Sequence, residues 1–111
     1  MSARRLCRID EVPEGEGRSF RFGSGPDLEA VFVVKKGGVL YAYANSCPHF
    51  GTPLNFLPDR FFTRDGQHLL CATHGAVFRV EDGVCIDGPC AGKRLKALAL
   101  RVDEGELLLL G

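Results

Sequence analysis

A chain of 111 residues is long enough for one domain with a core of its own and too short to add a separate catalytic domain. Lys and Arg balance Asp and Glu at 14 each, so no net field draws the whole molecule to nucleic acid or to an anionic membrane, and partner surfaces must be local. No apolar run approaches the roughly 20 residues of a spanning helix, so a soluble protein with no membrane partner is expected.

Arg4 and Arg5 could open a twin-arginine export signal, but the acidic stretch over residues 10–16 follows where an apolar segment would be needed. They read as surface residues. Residues 28–34 and 39–44 are short apolar strands flanking Lys35-Lys36-Gly37-Gly38, whose glycines suit a tight hairpin turn. A second hairpin is expected around Asp65-Gly66, between residues 61–63 and 68–71. A third turns at Asp103-Glu104-Gly105 and joins residues 95–102 to 106–110. No stretch has helical periodicity long enough to compete, so the fold class is all-β. Residues 45–80 carry all three His and three of the six Pro, and read as a loop-rich unit inserted into a base sheet formed by residues 1–44 and 81–111. The whole, 1–111, reads as one domain.

The inserted unit holds two short motifs: Cys47-Pro48-His49 and, beyond residues 50–70, Cys71-Ala72-Thr73-His74. Each pairs a thiolate with an imidazole. A [2Fe–2S] cluster with two Cys and two His needs this interleaving if each loop is to give one ligand to each iron. The common zinc finger instead groups two Cys on a hairpin and two His on a helix, and no helix is expected here. Zinc still accepts two Cys and two His, so it stays a rival occupant of the same four positions. Five Cys is an odd number, and two of them pair with His, which points to metal ligation in a reducing cytoplasm rather than to a disulfide framework. Gly51 and Gly75 let backbone N–H groups approach cluster sulfides, and Pro48 and Pro53 stiffen the first loop.

Other residues in the region have plainer readings. His68 precedes Cys71 by an odd step on a strand, so its side chain points away and it reads as an exposed strand residue. Cys7, Cys85 and Cys90 read as small apolar fillers, although Cys90 follows Pro89 in a loop that could bring its thiol close to the metal. Phe56, Phe61 and Phe62 could form a docking surface, but at least two of them are expected in the core.

This pattern resembles the Rieske family, whose signature is Cys-x-His, a loop, then Cys-x-x-His with Gly following. The resemblance extends to Gly88-Pro89, which matches the family's proline loop over the cluster. It implies an antiparallel β-sandwich or barrel base with an inserted cluster-binding subdomain. It also implies one cluster, with Cys47 and Cys71 on one iron and His49 and His74 on the other. Two departures are visible: residues 50–70 make a longer separation than is usual in the small ferredoxins, and Thr73 stands where an aromatic residue is frequent. The disulfide of the respiratory members has no counterpart, because Phe50, Gly51, Thr52 and Thr73 occupy those neighbourhoods.

Charge then indicates a use. Two thiolates and two neutral imidazoles leave the oxidised cluster neutral, so reduction is easier than with four thiolates, and Rieske potentials span about −150 to +300 mV. The family's high-potential members place Ser and Tyr hydroxyls on cluster sulfurs where this chain has Ala76 and Phe78. The chain therefore resembles the low-potential ferredoxins of ring-hydroxylating dioxygenase systems, which take electrons from a flavin-dependent reductase and give them to a terminal oxygenase. On that reading it is an electron-transfer component and not itself an enzyme. The other reading is a small subunit or regulatory module of a larger oxidoreductase, as in assimilatory nitrite reductase. A catalytic two-His, one-carboxylate iron is not available once two of three His are used.

Overall fold

In the middle of the chain, four consecutive apolar residues, Val31 to Val34, are all buried, and period-two alternation sends them to opposite sides of one strand. Val31 and Val33 face one core, and Phe32 and Val34 face another. The computed structural model, which describes residues 3–23, 25, 29–48, 53–55, 59–72 and 75–110, builds three antiparallel layers around these two cores.

The strands in chain order are β1 (Ala3–Arg8), β2 (Gly17–Phe22), β3 (Glu29–Lys36), β4 (Val39–Ala44), β5 (His68–Leu70), β6 (Val77–Arg79), β7 (Cys85–Asp87), β8 (Ala97–Leu98), β9 (Leu100–Asp103) and β10 (Glu106–Leu110). One 3-10 turn, Ile9–Glu11, follows β1. The outer sheet has the order β1-β10-β9, the middle sheet β2-β3-β4-β8, and the third β5-β6-β7. Leu6, Cys7, Val31, Val33, Ala42, Leu107 and Leu109 fill the core between the outer and middle sheets. Leu6 and Cys7 are neighbours yet both are buried, which the bulge between Arg5 and Cys7 makes possible by inserting an extra residue.

The expected hairpins form, and their turns show why. Gly37 and Gly38 have φ of +61° and +79°, the left-handed pair that a two-residue turn between β3 and β4 demands. Glu14 fastens this turn by accepting from both amides, at 2.6 and 2.9 Å, and the bonds from Gly38 and then Gly37 hold its carboxyl below the usual range. At the second hairpin Thr63 N–H donates to His68 O, and Asp65 accepts from the Thr63 hydroxyl and from Gln67 N–H. The third turns through Glu104 and Gly105, with φ of +50° and +77°.

The layout departs from expectation at three points. The strands of residues 1–44 and 97–110 form not one base sheet but two, the outer and middle sheets of the sandwich that the resemblance implies. Residues 95–102 are not one strand either. β8 pairs with β4, β9 pairs with β10, and at Ala99, whose carbonyl accepts from Leu110 N–H, the chain passes from one layer to the other. The third sheet also takes in β7, beyond Val80 where the inserted unit was expected to end.

The middle sheet presents Phe32, Val34 and Tyr43 to the third layer. Phe61 stacks on Phe32 with ring centroids 4.3 Å apart, so Phe61→Ala would remove a buried ring worth about 3–5 kcal/mol. The Tyr43 hydroxyl donates to Val80 O at 2.5 Å, and burial pushes its pKa up to about 12. Gly83, at φ +73°, lies against the Tyr43 ring, where an added Cβ would come within 2.8 Å.

Candidate metal centre

β4 runs out at Ala44, and Asn45 turns the chain into the first loop. Its N–H donates to Ala30 O at 2.8 Å, so the residue is still anchored to β3. Its side chain, 8% exposed, accepts from Leu54 N–H at 2.9 Å and donates to Asn55 Oδ1 at 3.0 Å. One amide group thus ties the two ends of the loop that carries Cys47. Cys47 itself is 1% exposed.

The second loop leaves β5 at Cys71, which is fully buried. Cys71 N–H donates to Ala76 O, and Gly75 N–H donates back to Cys71 O, both at 2.8 Å. Gly75 closes this turn at φ +72°. A Cβ there would meet none of the described atoms within 4 Å, so the chain's own demand at this position is for a left-handed backbone. Ala72 N–H donates to Leu54 O at 2.8 Å, which stitches the second loop to the first through the residue that Asn45 holds.

A third segment roofs the second loop. Gly88, at φ +99°, packs so closely that an added Cβ would lie 2.7 Å from Ala76 Cα. Its amide is held by the Asp87 carboxylate at 2.9 Å, and Pro89 faces solvent. The loop is closed by Gly92 N–H to Cys85 O at 3.0 Å and Cys85 N–H to Lys93 O at 2.7 Å. Inside it lie two thiols. Cys85 Sγ donates to Asp87 O at 3.2 Å, and Cys90 Sγ approaches Cys85 Sγ at 3.1 Å. Burial, then the neighbouring Cys85 thiol, pushes the Cys90 pKa up to about 12.

Cys47, Cys71, Ala76, Phe78, Cys85 and Cys90 therefore share one core with Phe32, Tyr43 and Phe61. None of the five cysteines is in a disulfide. Of the four expected ligands, the structure brings Cys47 and Cys71 into this core, while His49 and His74 lie outside the described residues, as do Phe50, Gly51, Thr52, Phe56 and Thr73. Among the described residues no three His, Cys, Asp or Glu side chains gather as a metal-holding group. His68 is half-buried on β5 opposite Arg79, rather than exposed, and belongs to no ligand group among the described residues. Phe61 is core and Phe62 packs partly buried against it. Cys7 is a filler in the other core, but Cys85 and Cys90 are more than fillers, since Cys90 hydrogen-bonds Cys85 and Cys85 the Asp87 carbonyl in the core that holds Cys47.

Sequence reasoning passed over Asn45, although an Asn at the end of a strand and two residues before Cys47 is a signal of a side chain that caps the following loop. The described donors suit an iron–sulfur cluster. Two buried sulfurs stand on loops stitched by main-chain hydrogen bonds, and the wall beside them is kept thin by Ala76 and Gly88.

The comparisons agree with that arrangement. Residues 2–102 match the family model described as Rieske [2Fe-2S] domain. Among curated proteins, the cytochrome b6-f complex iron-sulfur subunit of Chlorobaculum thiosulfatiphilum is 34% identical over 96% of this chain, which spans only 57% of that relative's length. Among solved structures, the ferredoxin of carbazole 1,9a-dioxygenase from Nocardioides aromaticivorans IC177 superposes with a TM-score of 0.75 at 25% identity, covering 98% of this chain and 97% of that one. The terminal oxygenase of carbazole 1,9a-dioxygenase from Novosphingobium sp. KA1 shares the fold at a TM-score of 0.78 and 23% identity, but over only 29% of its own chain.

Proposed function

Because the chain belongs to the Rieske [2Fe–2S] domain family, we propose that it carries single electrons through one cluster held by Cys47 and Cys71 on one iron and His49 and His74 on the other. The observation that carries this reading is the pair of buried cysteines on loops joined through Asn45, Leu54 and Ala72. When bound, the cluster supplies reversible one-electron chemistry. The chain's own part is to hold and shield it. Cys47 and Cys71 provide thiolates out of contact with water, and Gly88 roofs the second loop.

A carrier that takes electrons from a flavin-dependent reductase and gives them to a terminal oxygenase is favoured over an enzyme in its own right. The likeness to a dioxygenase ferredoxin spans nearly all of both chains, whereas the likeness to an oxygenase spans under a third of the latter. Ile86, 48% exposed on the strand leading into the roof, offers an apolar side chain to a docking partner. The second reading, a cluster-bearing subunit of a larger oxidoreductase, is favoured by the identity with the cytochrome b6-f subunit. Ala76 and Phe78, which lack the hydroxyls of high-potential members, weigh against it.

Protein purified without oxygen tests the proposal. Absorption and EPR spectra of a two-Cys, two-His cluster are expected, with about two irons and two acid-labile sulfides per chain. Stoichiometric zinc without sulfide would overturn it.

A further inference from the structure

We propose that Cys85 and Cys90 form a modification site, where two thiols close reversibly into a disulfide that fastens the roof loop. The geometry is that of a pair already set face to face. Cys90 Sγ lies 3.1 Å from Cys85 Sγ, so reaching the length of an S–S bond takes a movement of about 1 Å. The pairing is also selective. Cys7 lies in the other core, and Cys47 and Cys71, which share the core of the pair, are cluster ligands on the reading above.

The loop gives such a bond a consequence. Within residues 85–94 only Cys85 and Cys90 are buried, and the other eight residues are exposed. Main-chain hydrogen bonds otherwise close the loop: Cys85 N–H to Lys93 O, Gly92 N–H to Cys85 O, and Ala91 N–H to Gly88 O at 3.3 Å. A disulfide would span residues 86–89, and with them Gly88 where it packs on Ala76, by a bond that water cannot replace. It gives up two S–H donors, that of Cys90 to Cys85 and that of Cys85 to Asp87 O at 3.2 Å. Asp87 is exposed, so water can satisfy its carbonyl instead.

The oxidant is a low-molecular-weight disulfide such as oxidised glutathione. Burial holds the Cys90 thiol protonated while the loop is shut, so exchange begins from an opened loop in which solvent reaches the pair. One cysteine, as its thiolate, attacks the reagent, forms a mixed disulfide and expels one thiol; the other cysteine then displaces the second thiol. Two protein S–H bonds become one S–S bond. The reagent's S–S bond takes up the two electrons, and the two protons end on its two thiols.

The test uses the full wild-type chain with its cluster, incubated with oxidised or with reduced glutathione. Thiols are then blocked in denaturant without reduction, and the chain is cleaved after Arg79 and Lys93, which leaves Cys85 and Cys90 together in one fragment, residues 80–93. After oxidised glutathione the fragment is expected to carry no blocking label and to be two hydrogens lighter than the dithiol. After reduced glutathione it carries two labels. Two labels under both conditions, a lasting glutathione adduct, or a cross-link to Cys47 or Cys71 overturns the proposal.

Iron release to a chelator tests the fastening, which rests on the cluster reading. The disulfide form is expected to lose iron severalfold more slowly than the dithiol form, whereas Cys85→Ser and Cys90→Ser lose it at one rate whichever glutathione is used. Equal rates for the two wild-type forms overturn the fastening, and this comparison needs neither variant to fold. Protein purified without iron and sulfide overturns the cluster reading alone, and the mass of the fragment still decides for or against the pair.

Discussion

Asn45 is the buried polar side chain of the described residues, and both ends of its amide are engaged across the loop that carries Cys47. Asn45→Ala would leave the Leu54 N–H buried without its acceptor, at a cost of about 1–3 kcal/mol. Denaturant unfolding should show that loss, and metal analysis a lower cluster content. Asn45→Asp, which keeps an acceptor for Leu54, should lose less; equal losses would show that the acceptor is not what matters. Ala76 and Phe78 bear on the chemistry through what they lack. Both are fully buried beside Cys47 and Cys71, with Gly88 packed on Ala76. A double substitution, Ala76→Ser with Phe78→Tyr, is expected to raise the cluster potential. Each hydroxyl bond to a charged sulfur is worth about 1.5–3 kcal/mol, equivalent to roughly 60–130 mV at most. Voltammetry of both proteins at one pH checks this, and a downward shift with the cluster intact would refute it.

Among the elements, two glycines with similar backbone conformations should respond differently to the same substitution. Gly38 turns the β3–β4 hairpin at φ +79° with open space around it, so Gly38→Ala costs only the left-handed penalty of about 1–2 kcal/mol. Gly88 adds to its φ of +99° a backbone neighbour 2.7 Å from any Cβ. Gly88→Ala must therefore displace the roof loop as well, and should destabilise the protein more and loosen the cluster, as read by unfolding and by the rate of iron release to a chelator. Equal effects would mean that the roof yields freely. The hairpins were readable because glycine pairs and Asp-Gly announce turns locally. The break at Ala99 was not, because residues 95–102 carry no turn residue at Ala99. What divides them is a choice of partners, β4 for one half and β10 for the other.

Across the whole molecule the middle sheet is the shared wall, with Val31, Val33 and Ala42 facing the outer sheet and Phe32, Val34 and Tyr43 facing the metal centre. The two cores are thus separate packing units, and metal binding should stabilise mainly the one that contains Cys47 and Cys71. Hydrogen exchange before and after gentle cluster removal is expected to quicken in β5, β6 and β7 while β1, β9 and β10 stay slow. Uniform acceleration across all three sheets would show a single cooperative unit.

By itself the order of residues determined the all-β class, the turns, and the Cys-Pro-His and Cys-Ala-Thr-His motifs, because each depends on residues a few positions apart whose chemistry is local. Tertiary structure alone decided that the chain changes sheets at Ala99, that Asn45 clasps the loop carrying Cys47, and that Cys85 hydrogen-bonds Cys90 in the core that holds Cys47. Those facts arise from pairings between distant segments. Cys90 and Cys47, 43 positions apart, enter one core only because the third sheet packs on the middle one.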